Sequence, residues 1–204
     1  FKKEFGKYCT EFWQPDSFGY SAALPQIMLK AGMRFFFTNK LGWNQFNQLP
    51  STTFLWEGLD GSRVLAHNAP NGSWMEPDNV YASMTRFKDQ ERATQSLLPF
   101  GIGDGGGGPT EVMLERYRLL KDLPGFPKTR IRTVPEFFTR CEKDIKDPLV
   151  WLGELYFERH RGCYTTHADI KVGNRRCEEM MHDIEFLNSV AHALGKGRYP
   201  QSDI

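Results

Sequence analysis

The sequence predicts an α/β protein: part of a mostly parallel β/α domain over residues 1–163, followed over 164–204 by the start of an α-helical domain. Three observations predict it. Short apolar runs rich in aromatic and β-branched residues alternate with segments of helical period, the pattern of strands that cross over through helices. The connections between them are short and carry Gly, Pro, Asn or Asp, as turns do. From Ala168 onward Cys177, Met181, Ile184, Leu187, Ala191 and Leu194 recur at spacings of three and four with no strand-like run among them.

In chain order, Tyr8 to Trp13 reads as a strand and Pro15-Asp16-Ser17 as the loop leaving it. A helix follows: Ser21 caps it, Pro25 is tolerated in its first turn, Leu24, Ile27, Met28 and Ala31 share a face, and Gly32 ends it. Arg34 to Thr38 is a second strand. Phe54 to Glu57 and Arg63 to His67 flank Leu59-Asp60-Gly61, which predicts a β-hairpin. Pro70 to Asn79 is a loop. Leu97 to Ile102 reads as a buried strand running into Gly103-Asp104-Gly105-Gly106-Gly107-Gly108-Pro109, after which Thr110 caps a helix through Met113, Tyr117 and Leu120. Thr129 to Val134 is a strand, Pro135 opens a helix through Phe138 and Cys141, and Leu149 to Phe157 is the last strand. In folds of this kind the active site gathers at the carboxyl ends of the strands. Asp16 and Asp104, each in a loop leaving a predicted strand, are therefore expected on one rim.

Composition narrows the function classes. Twenty-six basic side chains balance 25 acidic ones, so there is no basic field to gather nucleic acid or anionic lipid, and neither a nucleic-acid nor a membrane partner is expected. No apolar run approaches the roughly 20 residues of a membrane span, and no signal segment opens the chain. The four cysteines, Cys9, Cys141, Cys163 and Cys177, are widely spaced, which argues for reduced thiols over a disulfide scaffold or a zinc finger. The chain opens on Phe1, within an amphipathic segment, and the expectation is a piece of a longer protein.

Two sites attract attention. Asp16 follows a proline and stands between Trp13 on one side and Phe18 and Tyr20 on the other, a carboxylate in an aromatic setting suited to stacking on a sugar ring. On local chemistry alone a turn aspartate with core aromatics accounts for it better. Gly101-x-Gly103-x-x-Gly106 satisfies the dinucleotide fingerprint and makes a Rossmann-type NAD-binding oxidoreductase an alternative. Against it, Asp104 would face the pyrophosphate with a negative charge, and the region about 20 residues on, near Asp122, reads as helix or a Pro-Gly turn and not as the end of a second strand.

Phe12-Trp13-Gln14-Pro15-Asp16-Ser17-Phe18-Gly19-Tyr20-Ser21 resembles the nucleophile motif of glycoside hydrolase family 38, the class II α-mannosidases, in its cytosolic or vacuolar branch. Phe54 to Arg63, Phe100 to Thr110, and Tyr164-Thr165-Thr166-His167-Ala168 running to Lys171, Asn174 and Arg175 are similar to the same branch, in the same order. The resemblance implies metal-dependent, retaining hydrolysis of terminal α-linked mannose, with Asp16 as nucleophile and metal ligand. It implies a helical domain of the three-helix-bundle kind from residue 164. Asp104, leaving a buried run among glycines, is the candidate acid/base, since desolvation raises a carboxyl pKa. Trp13, Phe18, Tyr20 and Tyr164 are the candidate substrate contacts, with Arg161, Thr165 and His167 beside the last of these. The implied cofactor is Zn2+, replaceable by Co2+ because both accept the same ligand set. The implied substrates are mannose-containing oligosaccharides and the implied location cytoplasmic, with vacuolar as the alternative; a homo-oligomer is compatible with the sequence.

The family's remaining ligands come from a His-x-Asp pair upstream and a histidine in a His-Asp motif downstream. Neither has a match here: His182-Asp183 lacks the flanking residues and lies on an amphipathic helix, where His182 and His192 read as surface residues, and His67, His160 and His167 read as structural or as supporting residues behind a site. One carboxylate does not hold zinc tightly. The rest of the site is expected outside this chain, which by itself is expected to be inactive, and a catalytically dead carbohydrate-binding remnant is a further alternative.

Overall fold

The computed structural model describes residues 1–69, 72, 74–103, 106–164 and 166–202, without the side chain of Tyr164. It divides into two units, Phe1–His160 and Arg161–Ile204. The first is built on a five-stranded sheet in the order β1 (Glu11–Trp13), β2 (Phe35–Thr38), β4 (Arg63–Asn68), β3 (Thr53–Glu57), β5 (Val150–Leu152). The pairs β1 with β2, β2 with β4 and β3 with β5 are parallel; only the β3–β4 hairpin is antiparallel. The carboxyl ends of β1, β2 and β4, at Trp13, Thr38 and Asn68, consequently share one edge.

Strand β2 is the centre of the core. Its residues Phe35 to Thr38 are at most 1% exposed, so both sheet faces are covered there. Period-two alternation sends Phe36, with Trp56, Val64 and Ala66, to one face, where helix α2 (Leu24–Lys30) contributes Met28. It sends Phe35 and Phe37, with Leu65, to the other, against Phe137, Phe138 and Cys141 of helix α5 (Val134–Asp144). Burying a phenylalanine of this kind contributes about 2–3 kcal/mol. Burial pushes the Cys141 thiol up to about 12, so it is a packing group and not a nucleophile. A satellite cluster joins Val80 of helix α3 (Pro77–Thr85) to Met113 and Leu120 of helix α4 (Glu111–Leu120) and to Met75. The chain opens on a single turn, α1 (Lys2–Phe5).

Several elements follow the expected chemistry. The Thr110 hydroxyl accepts from the Met113 amide at 3.3 Å and starts α4. The Glu136 carboxylate accepts from both the Thr133 amide and the Thr133 hydroxyl at 2.9 Å, starting α5. Helix α2 starts later than expected: Ala23 is its cap, and Ser21 only accepts from the Ala23 amide at 3.3 Å.

Four expectations fail, each for a visible reason. Leu97 to Ile102 forms no strand and pairs only at a single bridge residue, Phe100; the Leu97 amide donates to the His67 imidazole at 3.2 Å rather than to a neighbouring strand. Thr129 to Val134 is not a strand either: Thr129 donates back to Lys121 at the end of α4, and Arg130 bonds Asp122 and the Lys121 carbonyl. The last strand stops at Leu152, where Gly153 takes φ +101, and resumes only as a bridge between Leu155 and Tyr20. The loop expected through Asn79 gives way to α3 at Pro77. In the second unit, a 3₁₀ turn over Arg161–Tyr164 precedes the 26-residue helix α6 (Ala168–Ala193), as the periodicity predicts. Among the described residues no helix is long and apolar enough to cross a membrane.

Candidate active site

Strand β1 ends at Trp13, and the next three residues carry Asp16 out over the shared carboxyl edge. The turn is held from beneath at each step. The Gln14 amide donates to the Phe37 carbonyl at 2.9 Å, continuing the ladder past the strand. The Ser17 hydroxyl donates to Gln14 Oε1 at 2.7 Å. Tyr20 donates its hydroxyl to the Gln14 carbonyl at 2.7 Å and pairs with the Thr38 hydroxyl. Gly19 takes φ +110, a backbone conformation that residues with a Cβ rarely adopt, and so lets the chain fold back against the Leu155 bridge.

The Asp16 side chain itself is 68% exposed, and its Oδ1 meets the Lys40 ammonium at 2.5 Å. Lys40 opens a 3₁₀ turn, Lys40–Trp43, directly after β2. Its side chain is only 13% exposed. The ammonium lies 4.2 Å from the Trp43 ring centroid and 5.9 Å from that of Phe18, so aromatic faces and one carboxylate share its charge. The turn is fixed from below by Glu158, whose carboxylate accepts from the amides of Gln45, Phe46 and Asn47 and from the Asn47 side chain. Those amide donors, Phe46 foremost, hold the Glu158 carboxyl below its ordinary range. Asn44 completes the tie, donating to the Tyr156 carbonyl and accepting from the Glu158 amide, each at 2.9 Å.

The expected sugar contacts divide. Trp13 stacks on Phe37 with centroids 3.8 Å apart and planes 7° off parallel, and remains 39% exposed. Phe18 is half-buried against Phe157 and His160 at 5.8 and 4.7 Å. Tyr20 is corrected: at 7% exposed, with its ring edge-on to Phe36 and Trp56, it lies in the core and braces the Asp16 turn. Asp104 lies outside the described residues, as does the side chain of Tyr164. The strand at Leu97 to Ile102 that was expected to set Asp104 on the Asp16 rim does not form. Among the described glycines nearby, Gly107 donates to the Ile102 carbonyl at 3.0 Å, and a Cβ on it would stand 2.9 Å from the Ile102 Cβ. Without a strand before it the dinucleotide fingerprint loses its required context.

For a metal ion, the described residues offer one carboxylate. Among them no group of three or more His, Cys, Asp or Glu side chains converges, and His182 and Asp183 stand exposed on α6, 3.9 Å apart. Zinc needs about four ligands. The described residues do not make a metal centre by themselves.

Lys40 is not singled out from the sequence, whereas His67, expected there to be structural, is buried and bonded as such. Lys40 carried a signal, a lysine at the end of a strand that should end beside Asp16. His67, 0% exposed, accepts from the Leu97 amide through Nε2 and faces the Thr53 hydroxyl through Nδ1 at 2.9 Å. Burial pushes it down to about 3, so it is neutral and carries its proton on Nδ1.

Residues 1–154 match the family described as the glycosyl hydrolases family 38 N-terminal domain, and residues 158–204 the alpha mannosidase middle domain. Among similar proteins, Alpha-mannosidase 2C1 of Homo sapiens is 49% identical over 196 residues, 95% of this chain and 19% of the relative. Alpha-mannosidase G of Dictyostelium discoideum is 46% identical over 200 residues, 97% of this chain and 18% of the relative. The Alpha-mannosidase of Saccharomyces cerevisiae is 38% identical over 215 residues, 99% of this chain and 19% of the relative. The chain thus spans about a fifth of the relatives it matches. In fold it is similar to the crystal structure of an alpha-mannosidase from Enterococcus faecalis V583, with TM-score 0.52 at 17% identity over 76% of this chain and 19% of that one.

Proposed function

The chain belongs to glycosyl hydrolase family 38, and from that premise we propose that the intact protein is a retaining α-mannosidase with Asp16 as its nucleophile. The observation that carries the reading is the presentation of Asp16: a 68% exposed carboxylate on a braced turn at the carboxyl edge of the sheet, with a caged lysine on one oxygen. Identities of 46 to 49% to proteins named alpha-mannosidases support the same reaction.

In the proposed cycle the free carboxylate oxygen of Asp16 attacks the anomeric carbon as the glycosidic C–O bond breaks. The departing oxygen takes a proton from an acid group, assigned to Asp104. Water then attacks the glycosyl ester, its proton returns to Asp104, the carboxylate leaves, and mannose departs with its configuration retained. Lys40 keeps one Asp16 oxygen in place, so that the other is presented in a single orientation. Trp13 and Phe18 offer aromatic faces to the sugar's C–H groups, and Tyr20 holds the turn. Asp16 is also proposed as one ligand of a Zn2+ or Co2+ ion whose other ligands lie outside this chain. Such an ion would supply positive charge at the sugar hydroxyls. The substrates proposed are mannose-containing oligosaccharides, and the proposed location is the cytoplasm, or the vacuole.

The test is hydrolysis of an aryl α-mannoside by the full-length protein, with the anomer released followed by proton NMR. Release of the α-anomer first supports the proposal. Release of the β-anomer, or no hydrolysis with Zn2+ or Co2+ supplied, removes it.

A further inference from the structure

The stretch from Leu155 to His160 touches both of the turns that bring Asp16 and Lys40 together. On the Asp16 side, Leu155 exchanges backbone hydrogen bonds with Tyr20 at 2.9 and 3.0 Å, and Phe157 and His160 pack on the Phe18 ring. On the Lys40 side, the Tyr156 carbonyl and the Glu158 amide bind the Asn44 carboxamide, and the Glu158 carboxylate accepts from the amides of Gln45, Phe46 and Asn47. The two aromatic rings about the Lys40 ammonium are therefore set by one stretch of chain: Phe18 by direct packing, and Trp43 through Asn44, the residue that follows it.

Glu158 is the centre of this arrangement. It is 8% exposed and makes no ion pair among the described residues. Its charge is met instead by three successive backbone amides and by Asn47 Nδ2 at 2.7 Å, the converging donors by which a turn holds an anion. Those amides belong to residues whose side chains face water, Phe46 being 76% exposed, so side-chain burial does not fix this part of the chain. Leu41, 1% exposed, anchors the front of the 3₁₀ turn in the core, whereas its back is located by Asn44 and Glu158. Trp43 stands between the two anchors, with its ring centroid 4.2 Å from the ammonium that meets Asp16.

We propose that Glu158 is a positioning residue for the reaction. By fixing residues 44–47 it holds Trp43 against the Lys40 ammonium, and so holds the ammonium on Asp16 Oδ1. The proposal rests on the glycosidase reading above and gives Glu158 a part in it that acts through Lys40, without contact to the sugar.

The test is a double-mutant cycle in the full-length protein, with an aryl α-mannoside as substrate. Glu158→Gln keeps the size of the side chain but sets an NH2 group against amides that need an acceptor. It is expected to lower kcat/KM about tenfold, mainly through kcat, in the wild-type background, and by less than about twofold where Lys40→Met has already removed the charge, since residues that act through one another are not additive. A merely structural role lowers kcat/KM by the same factor in both backgrounds, which overturns the proposal, as does a Glu158→Gln protein with wild-type kcat. Should Glu158→Gln fail to fold, Asn47→Asp at an exposed position sets a second carboxylate against Glu158 and is read in the same cycle, with the same two outcomes. A wild type without turnover overturns the glycosidase reading and this proposal with it, whereas turnover with equal losses in both backgrounds overturns this proposal alone.

Discussion

The ammonium of Lys40 lies 2.5 Å from Oδ1 of Asp16, and only 13% of the lysine side chain reaches solvent while 68% of the aspartate does. The pair brings together two turns that leave adjacent parallel strands, β1 and β2. Its cation is confined by Trp43 and Phe18 and its anion is presented outward. A pair whose purpose is stability has no need of this asymmetry, since exposed ion pairs contribute about 0–1 kcal/mol.

Lys40→Met keeps the stem and removes the charge. It is expected to lower kcat/KM for an aryl α-mannoside about tenfold to a hundredfold, at about 1.4 kcal/mol per decade, while shifting the thermal midpoint little. Lys40→Arg is expected to recover part of the loss. Steady-state kinetics with a thermal melt on the same samples checks it.

Gly19→Ala places a Cβ at φ +110 facing the Leu155 carbonyl. The strain is about 1–3 kcal/mol, and it falls on the turn between Asp16 and Tyr20. Both stability in urea and kcat are expected to drop, whereas Gly32→Ala, also at positive φ but with open space around it, should lower stability alone.

Asp89 is 1% exposed and accepts from the amides of Thr52 and Thr53, each at 2.8 Å, and from the Ser51 hydroxyl. Asp89→Ala leaves the Thr52 and Thr53 amides buried without a partner at the start of β3, while the Ser51 hydroxyl keeps the Thr53 carbonyl as acceptor. The expected cost is about 3 kcal/mol or more, read as a lower urea midpoint.

His67 supplies a pH dependence. Its folded value, about 3, is depressed below the ordinary 6.5 by burial. The unfolded chain therefore binds a proton that the folded one refuses. This contribution to stability is fully present above pH 6.5 and is lost as pH falls from there toward 3, by up to about 1.4 kcal/mol per pH unit. Urea titrations at several pH values should show that slope, and His67→Gln should flatten it.

Much of this fold is legible in the sequence, and the reasons are local. The three phenylalanines of β2 have no other use than a strand covered on both faces, Leu59-Asp60-Gly61 is a turn by composition, and Pro135 opens a helix. The misreadings share another cause. An apolar run such as Leu97 to Ile102 has the composition of a strand, but whether it pairs depends on where its amides go, and Leu97 goes to a histidine 30 residues earlier. Helix α3 was missed because only Val80 of its nine residues is buried, which leaves little periodicity to read. In the site, Asp16 was legible from its aromatic neighbours and from the family resemblance. Lys40 was not, since a lone lysine reads as solvated until a folded chain closes Trp43 and Phe18 around it. Tyr20 was given to the sugar when its hydroxyl belongs to Gln14 and Thr38, a distinction of burial that a motif does not encode.

The claim on which the account depends is that Asp16 forms the bond to the sugar. A fluorinated mannosyl fluoride, which slows release of the enzyme-bound sugar more than its capture, should trap that bond in the full-length protein. Peptide mapping by mass spectrometry then finds it. The account predicts one fluorohexosyl adduct on the peptide carrying Asp16, absent from Asp16→Asn. An adduct on any other residue, or an unchanged adduct in Asp16→Asn, would contradict it.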